Sequence, residues 1–126
     1  MSGLGIAGSG RAARTFLARL RATGFAPQPA AEDIAGLRTL LLVPRDIGDC
    51  EALLFETEAF ARKAPALQTI VILATLSPRY VRALRGRIRA EIALVDAPFT
   101  GTLRAAEHGA LTCFVGGRRA DVDRIA

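Results

Sequence analysis

The sequence predicts an α/β fold in which a doubly wound, mainly parallel sheet of about six strands carries helices on both faces. Two observations lead to this prediction: short apolar runs alternate with amphipathic helical stretches, and a glycine-rich turn separates the first run from the first helix. The chain has 126 residues, of which 51% are apolar, and this fits a single domain with a packed core.

The first half of the chain reads as strand, helix, short strand, strand and helix. The first strand covers residues 4–7 and is followed by a helix whose apolar residues share one face: Ala13, Phe16, Leu17 and Leu20. Gly24 suits the C-cap of that helix. A short second strand is expected at residues 25–28, a strong buried strand at 39–43, and a helix capped by Asp49 and running to about residue 63.

The second half repeats the alternation of strands and helices. The run at residues 69–74 is the next buried strand, and Ser77-Pro78 has the residue types of a helix N-cap and first helical position. The buried face of that helix is expected to consist of Val81, Leu84 and Ile88. Further strands are predicted at 91–95 and 110–115, and a last helix at 121–125.

The glycine-rich turn has the pattern G-x-G-x-x-A between a strand and a helix, which is the setting in which this motif binds dinucleotides. Gly8 permits the tight turn, Gly10 lets a pyrophosphate approach the backbone, and Ala13 lets the helix pack closely on the strand. The helix N-terminus then offers free N–H groups to the phosphates. The alternative interpretation is a glycine-rich strand–helix turn without a ligand.

The acidic residue that holds the adenosine ribose in many Rossmann folds has no clear counterpart in this sequence. Gln28, Pro29 and Ala30 occupy the expected place, and Glu32 and Asp33 follow slightly later. The choice between NAD and NADP therefore stays open at this point.

A motif series in the second half resembles the β-hydroxyacid dehydrogenase family, which includes 3-hydroxyisobutyrate and 6-phosphogluconate-type dehydrogenases. Residues 94–102 (LVDAPFTGT) are similar to the family's D-A-P-V-S-G-G, and residues 105–112 are similar to its A-x-x-G-T-L-T, before the pair Gly116-Gly117. Residues 42–44 resemble its M-L-P turn, and residues 74–78 resemble its S-T-I-x-P. The resemblance covers the chain in order and implies a Rossmann-like NAD(P)-binding domain.

The resemblance also implies roles for individual residues. Those that would hold the cofactor, NAD or NADP, are Gly8, Ser9, Gly10, Arg11, Ala12, Val43, Pro44 and Thr75. Those that would hold a substrate carboxylate are Thr100, Gly101 and Thr102. Thr100 replaces the family's serine and keeps its hydroxyl, whereas Thr102 replaces a glycine.

The resemblance assigns residues 1–126 to one cofactor domain, truncated before the helical domain that carries the family's catalytic lysine. Lys63 is the only lysine of the chain and is interpreted as a solvated surface residue. The implied function is cofactor binding for hydride transfer between a β-hydroxyacid-type substrate and nicotinamide, without catalysis by this chain alone. The alternative is a non-catalytic Rossmann-like module that binds a nucleotide or a protein partner.

The remaining features of the sequence define what other sites and partners are expected. The net charge of +5 comes mainly from arginine, and Arg82, Arg85 and Arg89 share a helix face that is interpreted as a solvated surface rather than a nucleic-acid site. His108 is interpreted as a surface residue, and the two cysteines, Cys50 and Cys113, as buried thiols. No metal site, membrane segment or secretory leader is predicted, and a cytoplasmic location is expected. An open sheet edge favours a homodimer.

Overall fold

The computed structural model describes residues 3–8, 11–22, 28–97, 99–100, 112–113 and 116–117, which form an α/β fold around a six-stranded sheet. Its parallel strands are β1 (Leu4–Ala7), β2 (Gln28–Pro29), β3 (Thr39–Leu42), β4 (Thr69–Ile72) and β5 (Ala93–Asp96). The helices are α1 (Arg11–Ala22), α2 (Ile47–Phe55), α3 (Phe60–Lys63) and α4 (Pro78–Leu84), and a 3-10 helix, Ala30–Glu32, follows β2. The predicted fold class is confirmed.

The order of the strands places a topological switch point between β1 and β3. The sheet runs β2-β1-β3-β4-β5 and ends with β8 (Gly116–Gly117), so the chain leaves β1 toward one side to form β2 and then crosses to the other side to form β3. Open α/β sheets bind ligands at such a point, outside the carboxyl ends of the strands. The fold alone therefore indicates a ligand site among the residues that follow β1 and β3.

Helices cover both faces of the sheet and each face has its own apolar cluster. Ala13 and Leu17 of α1 pack against Ile6, Val71 and Val95 on one face. The opposite face is larger, and its fully buried large side chains come from strands and helices alike: Leu40, Leu42, Leu54, Phe60, Ile70, Ile72 and Leu84. Burying each such side chain stabilises the fold by about 1.5–3 kcal/mol. Residues on both faces of β1 and β4 are buried, and β3 is buried on one face and half-buried on the other, which explains why these strands read as continuous apolar runs.

The long helix predicted at residues 49–63 is wrong in its start and in its continuity. Helix α2 begins one turn earlier, because the Asp46 side chain accepts a hydrogen bond from the Asp49 backbone N–H at 2.7 Å and forms the N-cap. The helix ends at Phe55, and Ala59 with φ 51° starts the separate helix α3. Lys63, the last residue of α3, is exposed as predicted.

The end of the chain also differs from the prediction. Of the strand predicted at 110–115, β7 (Thr112–Cys113) pairs with β6 (Phe99–Thr100) in a separate two-stranded sheet. The sixth strand of the main sheet is instead β8 (Gly116–Gly117), which pairs antiparallel with β5. Gly24, His108 and the helix predicted at 121–125 lie outside the described residues.

Within the described residues, no helix is both long enough and apolar enough to cross a membrane. Helix α1 is the longest, with 12 residues.

Candidate functional site

The residues that follow β1, β3, β4 and β5 come together along one side of the sheet, which we call the carboxyl edge. Backbone hydrogen bonds continue one residue beyond the strands: Val43 N–H donates to Ala7 at 2.8 Å, Leu73 N–H to Leu42 at 2.8 Å, and Ala97 N–H to Ile72 at 2.9 Å. Gly8, Pro44 and Ala74 therefore begin three neighbouring loops. The sequence placed these residues at strand ends, and the structure brings them together.

Gly8 lies where the first two of these loops touch. A Cβ atom on Gly8 would stand 2.5 Å from the carbonyl oxygen of Val43 and 3.1 Å from the Cβ of Ala13, and its φ is +151°. Only glycine fits this position, since any side chain would push β1, β3 and α1 apart. The packing roles predicted for Gly8 and Ala13 are therefore present in the fold, whereas Ser9 and Gly10 lie outside the described residues.

Helix α1 begins at Arg11, directly after this corner, and has no acidic residue in its first turn. The first backbone N–H groups of a helix have no partner within the helix and favour anions. Ala13 is buried and brings the start of the helix close to β1. The side chains of Arg11 and Ala12 lie outside the described part of the structure, so the site at this point rests on the backbone.

The loop after β3 begins with two buried residues and continues with two exposed, charged ones. Val43 and Pro44 are buried, as expected for residues that line rather than reach into a site. The next two residues, Arg45 and Asp46, are exposed, and the Arg45 backbone N–H donates to the Asp49 carboxylate at 3.0 Å. Asp49, predicted as a helix cap, instead holds this loop from within the first turn of α2.

The loop after β4 presents Thr75 to solvent, whereas Ala74 is buried and Leu76 is half-buried. Helix α4 begins at Pro78 with Ser77 before it, as the sequence predicted. The Ser77 side chain, however, makes no capping hydrogen bond. Thr75 thus stands exposed on the carboxyl edge, between β4 and α4.

Asp96 is the last residue of β5 and the aspartate of the segment that resembles the family's D-A-P motif. Its Oδ1 atom is buried and has no hydrogen-bond partner in the described structure, and burial raises the pKa of the carboxyl group. Thr100, the predicted substrate residue, belongs to β6, which follows β5 closely. Gly101 and Thr102 lie outside the described residues.

The end of β2 carries no carboxylate. Gln28 and Pro29 pair with Gly5 and Ile6 of β1, and Ala30 behind them is buried. The Asp33 carboxylate accepts a hydrogen bond from the backbone N–H of Gly36, three residues later, at 3.0 Å. Glu32 is exposed at the end of the 3-10 helix, and it is the first acidic residue after β2.

Comparison with known protein families identifies the family of this chain. A model described as the NAD binding domain of 6-phosphogluconate dehydrogenase matches residues 3–126. The chain belongs to this family. The resemblance drawn from the sequence motifs is thereby confirmed, and nicotinamide dinucleotide binding is the property that defines the domain.

Solved structures share the fold of this NAD-binding domain. The 3-hydroxyisobutyrate dehydrogenase of Mycobacterium tuberculosis, solved with L-serine, superposes with a TM-score of 0.80 at 19% identity, over 98% of this chain and 49% of its own. The 3-hydroxyisobutyrate dehydrogenase of Salmonella typhimurium gives 0.70 at 21% identity, over 97% and 50%. An imine reductase of Myxococcus stipitatus in complex with NAD+ gives 0.79 at 15% identity, over 98% and 49%.

The NAD-binding domain spans about half the length of these structures. At such low identities the similarity establishes the fold and no more. A comparison with curated protein sequences finds no match.

Two of the three arginines predicted to share a helix face after β4 donate hydrogen bonds to backbone oxygens of the NAD-binding domain. Arg85 was predicted to lie on a solvated face but is half-buried, and its guanidinium donates to the backbone oxygens of Ile92 and Arg89, each at 2.6 Å. Arg89 donates to the Ala64 oxygen at 3.0 Å. Arg82 is exposed, as predicted. Two of the three arginines thus stabilise the turn between α4 and β5.

Between α2 and α4 lies a polar network that sequence reasoning missed. The Tyr80 hydroxyl donates to Glu51 Oε2 at 2.5 Å, and Arg87 Nη1 donates to both oxygens of Glu51 at 2.9 and 3.0 Å. The Arg87 guanidinium carbon stands 4.2 Å from the centroid of the Phe55 ring. No local sequence signal joins these residues, because Tyr80 and Glu51 are 29 positions apart.

Cys50 lies beside this network and is fully buried in α2, as predicted. Burial raises the pKa of its thiol to about 11, against a smaller lowering by the Tyr80 hydroxyl. The thiol therefore stays protonated at neutral pH, which does not suit a nucleophile. No three His, Cys, Asp or Glu side chains are grouped for a metal ion anywhere in the described residues.

Proposed function

We propose that this NAD-binding domain holds a nicotinamide dinucleotide across the carboxyl edge. The pyrophosphate would lie at the corner after β1, and the residues that form this corner are Gly8, Ser9, Gly10, Arg11 and Ala12. The adenosine side would lie over Val43 and Pro44, and the nicotinamide ribose beside Thr75. The contact between the Gly8 loop and the Val43 loop at the switch point is the observation that carries this proposal.

In the complete protein the domain would serve an oxidoreductase that acts on a β-hydroxyacid-type substrate. The nicotinamide ring supplies or accepts the hydride in such enzymes. Thr100, Gly101 and Thr102 would hold the substrate carboxylate, since Thr100 lies on β6 just after β5. A lysine that moves the hydroxyl proton would come from a further helical domain, as the family resemblance implies. In this proposal the domain contributes cofactor binding and does not turn over substrate by itself.

Titration with NADH and NADPH, followed by nicotinamide fluorescence, tests cofactor binding. Gly10→Val should weaken binding about tenfold or more, because a branched side chain would meet the pyrophosphate. Gly86→Val is the matched control, since a Cβ on Gly86 meets nothing closer than 3.8 Å and the residue lies in the turn after α4. Absence of a response to millimolar NADH and NADPH would remove the proposal, and equal losses in both variants would remove the assigned corner.

The environment of Glu32 supports NAD as the cofactor rather than NADP. Its carboxylate is exposed beyond β2, where it can accept hydrogen bonds from a ribose hydroxyl and repel a 2′-phosphate. Asp33 suits this role less well, because its Oδ1 atom already accepts a hydrogen bond from the Gly36 N–H. The domain should therefore bind NADH more tightly than NADPH.

Glu32→Gln should raise the affinity for NADPH relative to NADH by about tenfold, since it removes the repelling charge. Asp33→Asn changes the net charge equally at the neighbouring residue and should leave the ratio of the two affinities unchanged. Both dissociation constants are measured by the same fluorescence titration. An unchanged ratio in Glu32→Gln, or the same change in both variants, would contradict the role of Glu32.

A further inference from the structure

The Glu51 carboxylate ties α2 to α4 through directional bonds. It accepts from the Tyr80 hydroxyl on one oxygen and from Arg87 on both. Tyr80 lies in the first turn of α4, and Glu51 lies one turn into α2. The bond therefore joins the two helices near the ends from which the loops of the carboxyl edge emerge.

The two helices connected in this way follow different parts of the cofactor site. Helix α2 begins shortly after Val43 and Pro44, on the proposed adenosine side. Helix α4 begins shortly after Thr75, on the proposed nicotinamide side. A shift of α4 along α2 would move Thr75 relative to the adenosine side without unfolding either helix.

Apolar packing holds α4 on the sheet, and the hydrogen bond from Tyr80 adds a directional contact with α2. Val81 and Leu84 are buried beneath the helix, and such contacts are non-directional. Hydrogen bonds to a charged acceptor are shorter and more directional than neutral ones. The bond from Tyr80 is thus the contact best suited to set the position of the α4 N-terminus.

The charged state of Glu51 and the neutral state of Tyr80 maintain the hydrogen bond between them at neutral pH. Burial alone would raise the pKa of Glu51, but the hydrogen bonds from Tyr80 and Arg87 lower it below its ordinary value. Burial and the bond to Glu51 raise the pKa of the Tyr80 phenol. The phenol therefore remains a donor and the carboxylate remains an acceptor.

We propose that Tyr80 and Glu51 are positioning residues that hold the Thr75 loop in register with the Val43–Pro44 loop, so that one dinucleotide can occupy both. The inference rests on the proposed cofactor site. It predicts that loss of the bond affects a ligand spanning both loops and spares one that needs only the adenosine side.

The test compares NADH with ADP in the Tyr80→Phe variant of the same chain, by NMR titration. ADP contacts only the pyrophosphate corner and the adenosine side, whereas NADH also reaches Thr75. Tyr80→Phe should weaken NADH binding about five- to tenfold and change ADP binding less than about twofold. Arg82→Ala, an exposed change on the same helix, should alter neither.

Equal weakening of both ligands would show a general structural loss and overturn the proposal, as would unchanged affinity for NADH. Glu51→Gln provides a second variant, because the amide oxygen can still accept from Tyr80. It should also weaken NADH binding more than ADP binding, since an amide group cannot accept from Arg87 on both of its atoms, and equal weakening of both ligands would overturn the proposal. Failure of the unmodified chain to bind NADH would instead reject the cofactor site itself.

Discussion

Gly8 is the residue on which the geometry of the carboxyl edge depends most directly. The carbonyl of Val43 occupies the space into which any side chain would project, at 2.5 Å from a Cβ. The positive φ of +151° adds a backbone conformation that other residues rarely adopt. A change at Gly8 therefore affects β1, β3 and α1 together.

Gly8→Ala should lower the free energy of unfolding by about 2–3 kcal/mol, through overpacking and backbone strain. Urea denaturation followed by circular dichroism measures the change. Gly48→Ala is the control, because a Cβ there meets only the Asp46 carboxylate at 3.4 Å and alanine favours the helix. A loss of stability in Gly8→Ala no larger than that in Gly48→Ala would contradict a steric conflict between a side chain at position 8 and the Val43 carbonyl.

Single residues were predictable where the signal is local. Gly8 and Ala13 follow from the spacing of one motif, whereas the roles of Val43, Pro44 and Thr75 are implied only by the family resemblance. The pairing of Tyr80 with Glu51, and the wrapping of Arg85 around the carbonyls of the following turn, depend on tertiary contacts. Such contacts leave no periodic trace in the sequence.

Helix α2 shows how a cap determines the shape of a binding loop. Asp46 caps the helix through the Asp49 N–H, and Asp49 in turn binds the Arg45 backbone N–H at 3.0 Å. These two bonds fix the chain directly after Val43 and Pro44. Asp46 and Asp49 are both of a residue type that caps helices, and the cap predicted at Asp49 is wrong because Asp46 forms it.

Asp46→Ala should destabilise the domain by about 1 kcal/mol, because the Asp49 N–H loses its acceptor. Asp46→Asn keeps an acceptor of the same geometry and should cost much less. Thermal or urea unfolding of the two variants gives the comparison. Equal losses would indicate that the charge of Asp46, rather than its capping bond, stabilises α2.

Strands were predicted better than helices, for a physical reason. Strand β4 is buried on both faces, and β3 is buried on one face and half-buried on the other, so apolar runs predict β3 and β4 to within two residues at either end. The break between α2 and α3 was missed because Ala59 takes a left-handed conformation without glycine or proline nearby to indicate it. Helix α4 likewise ends before Ile88, although Ile88 is buried as predicted.

The sequence predicts the parallel part of the domain's sheet but not the strand at its far edge. Alternation of strands and helices was enough to predict a doubly wound parallel sheet, and the family match agrees with it. The antiparallel strand β8 could not be anticipated, because two glycines carry no strand signal. The carboxyl edge is built from the ends of β1, β3, β4 and β5, and β8 pairs with Asp96 at the end of β5.

Amide NMR of the domain during titration with NADH tests the central claim most directly, because it locates the ligand on one edge of the sheet. The account predicts the largest shifts at the carboxyl edge, for the amides of Gly8, Val43, Thr75 and Ala97. The amides at the opposite edge, Arg38, Gln68 and Ala93, serve as internal controls and should not move. Shifts confined to those three amides, or no shifts at all with millimolar NADH, would contradict the account.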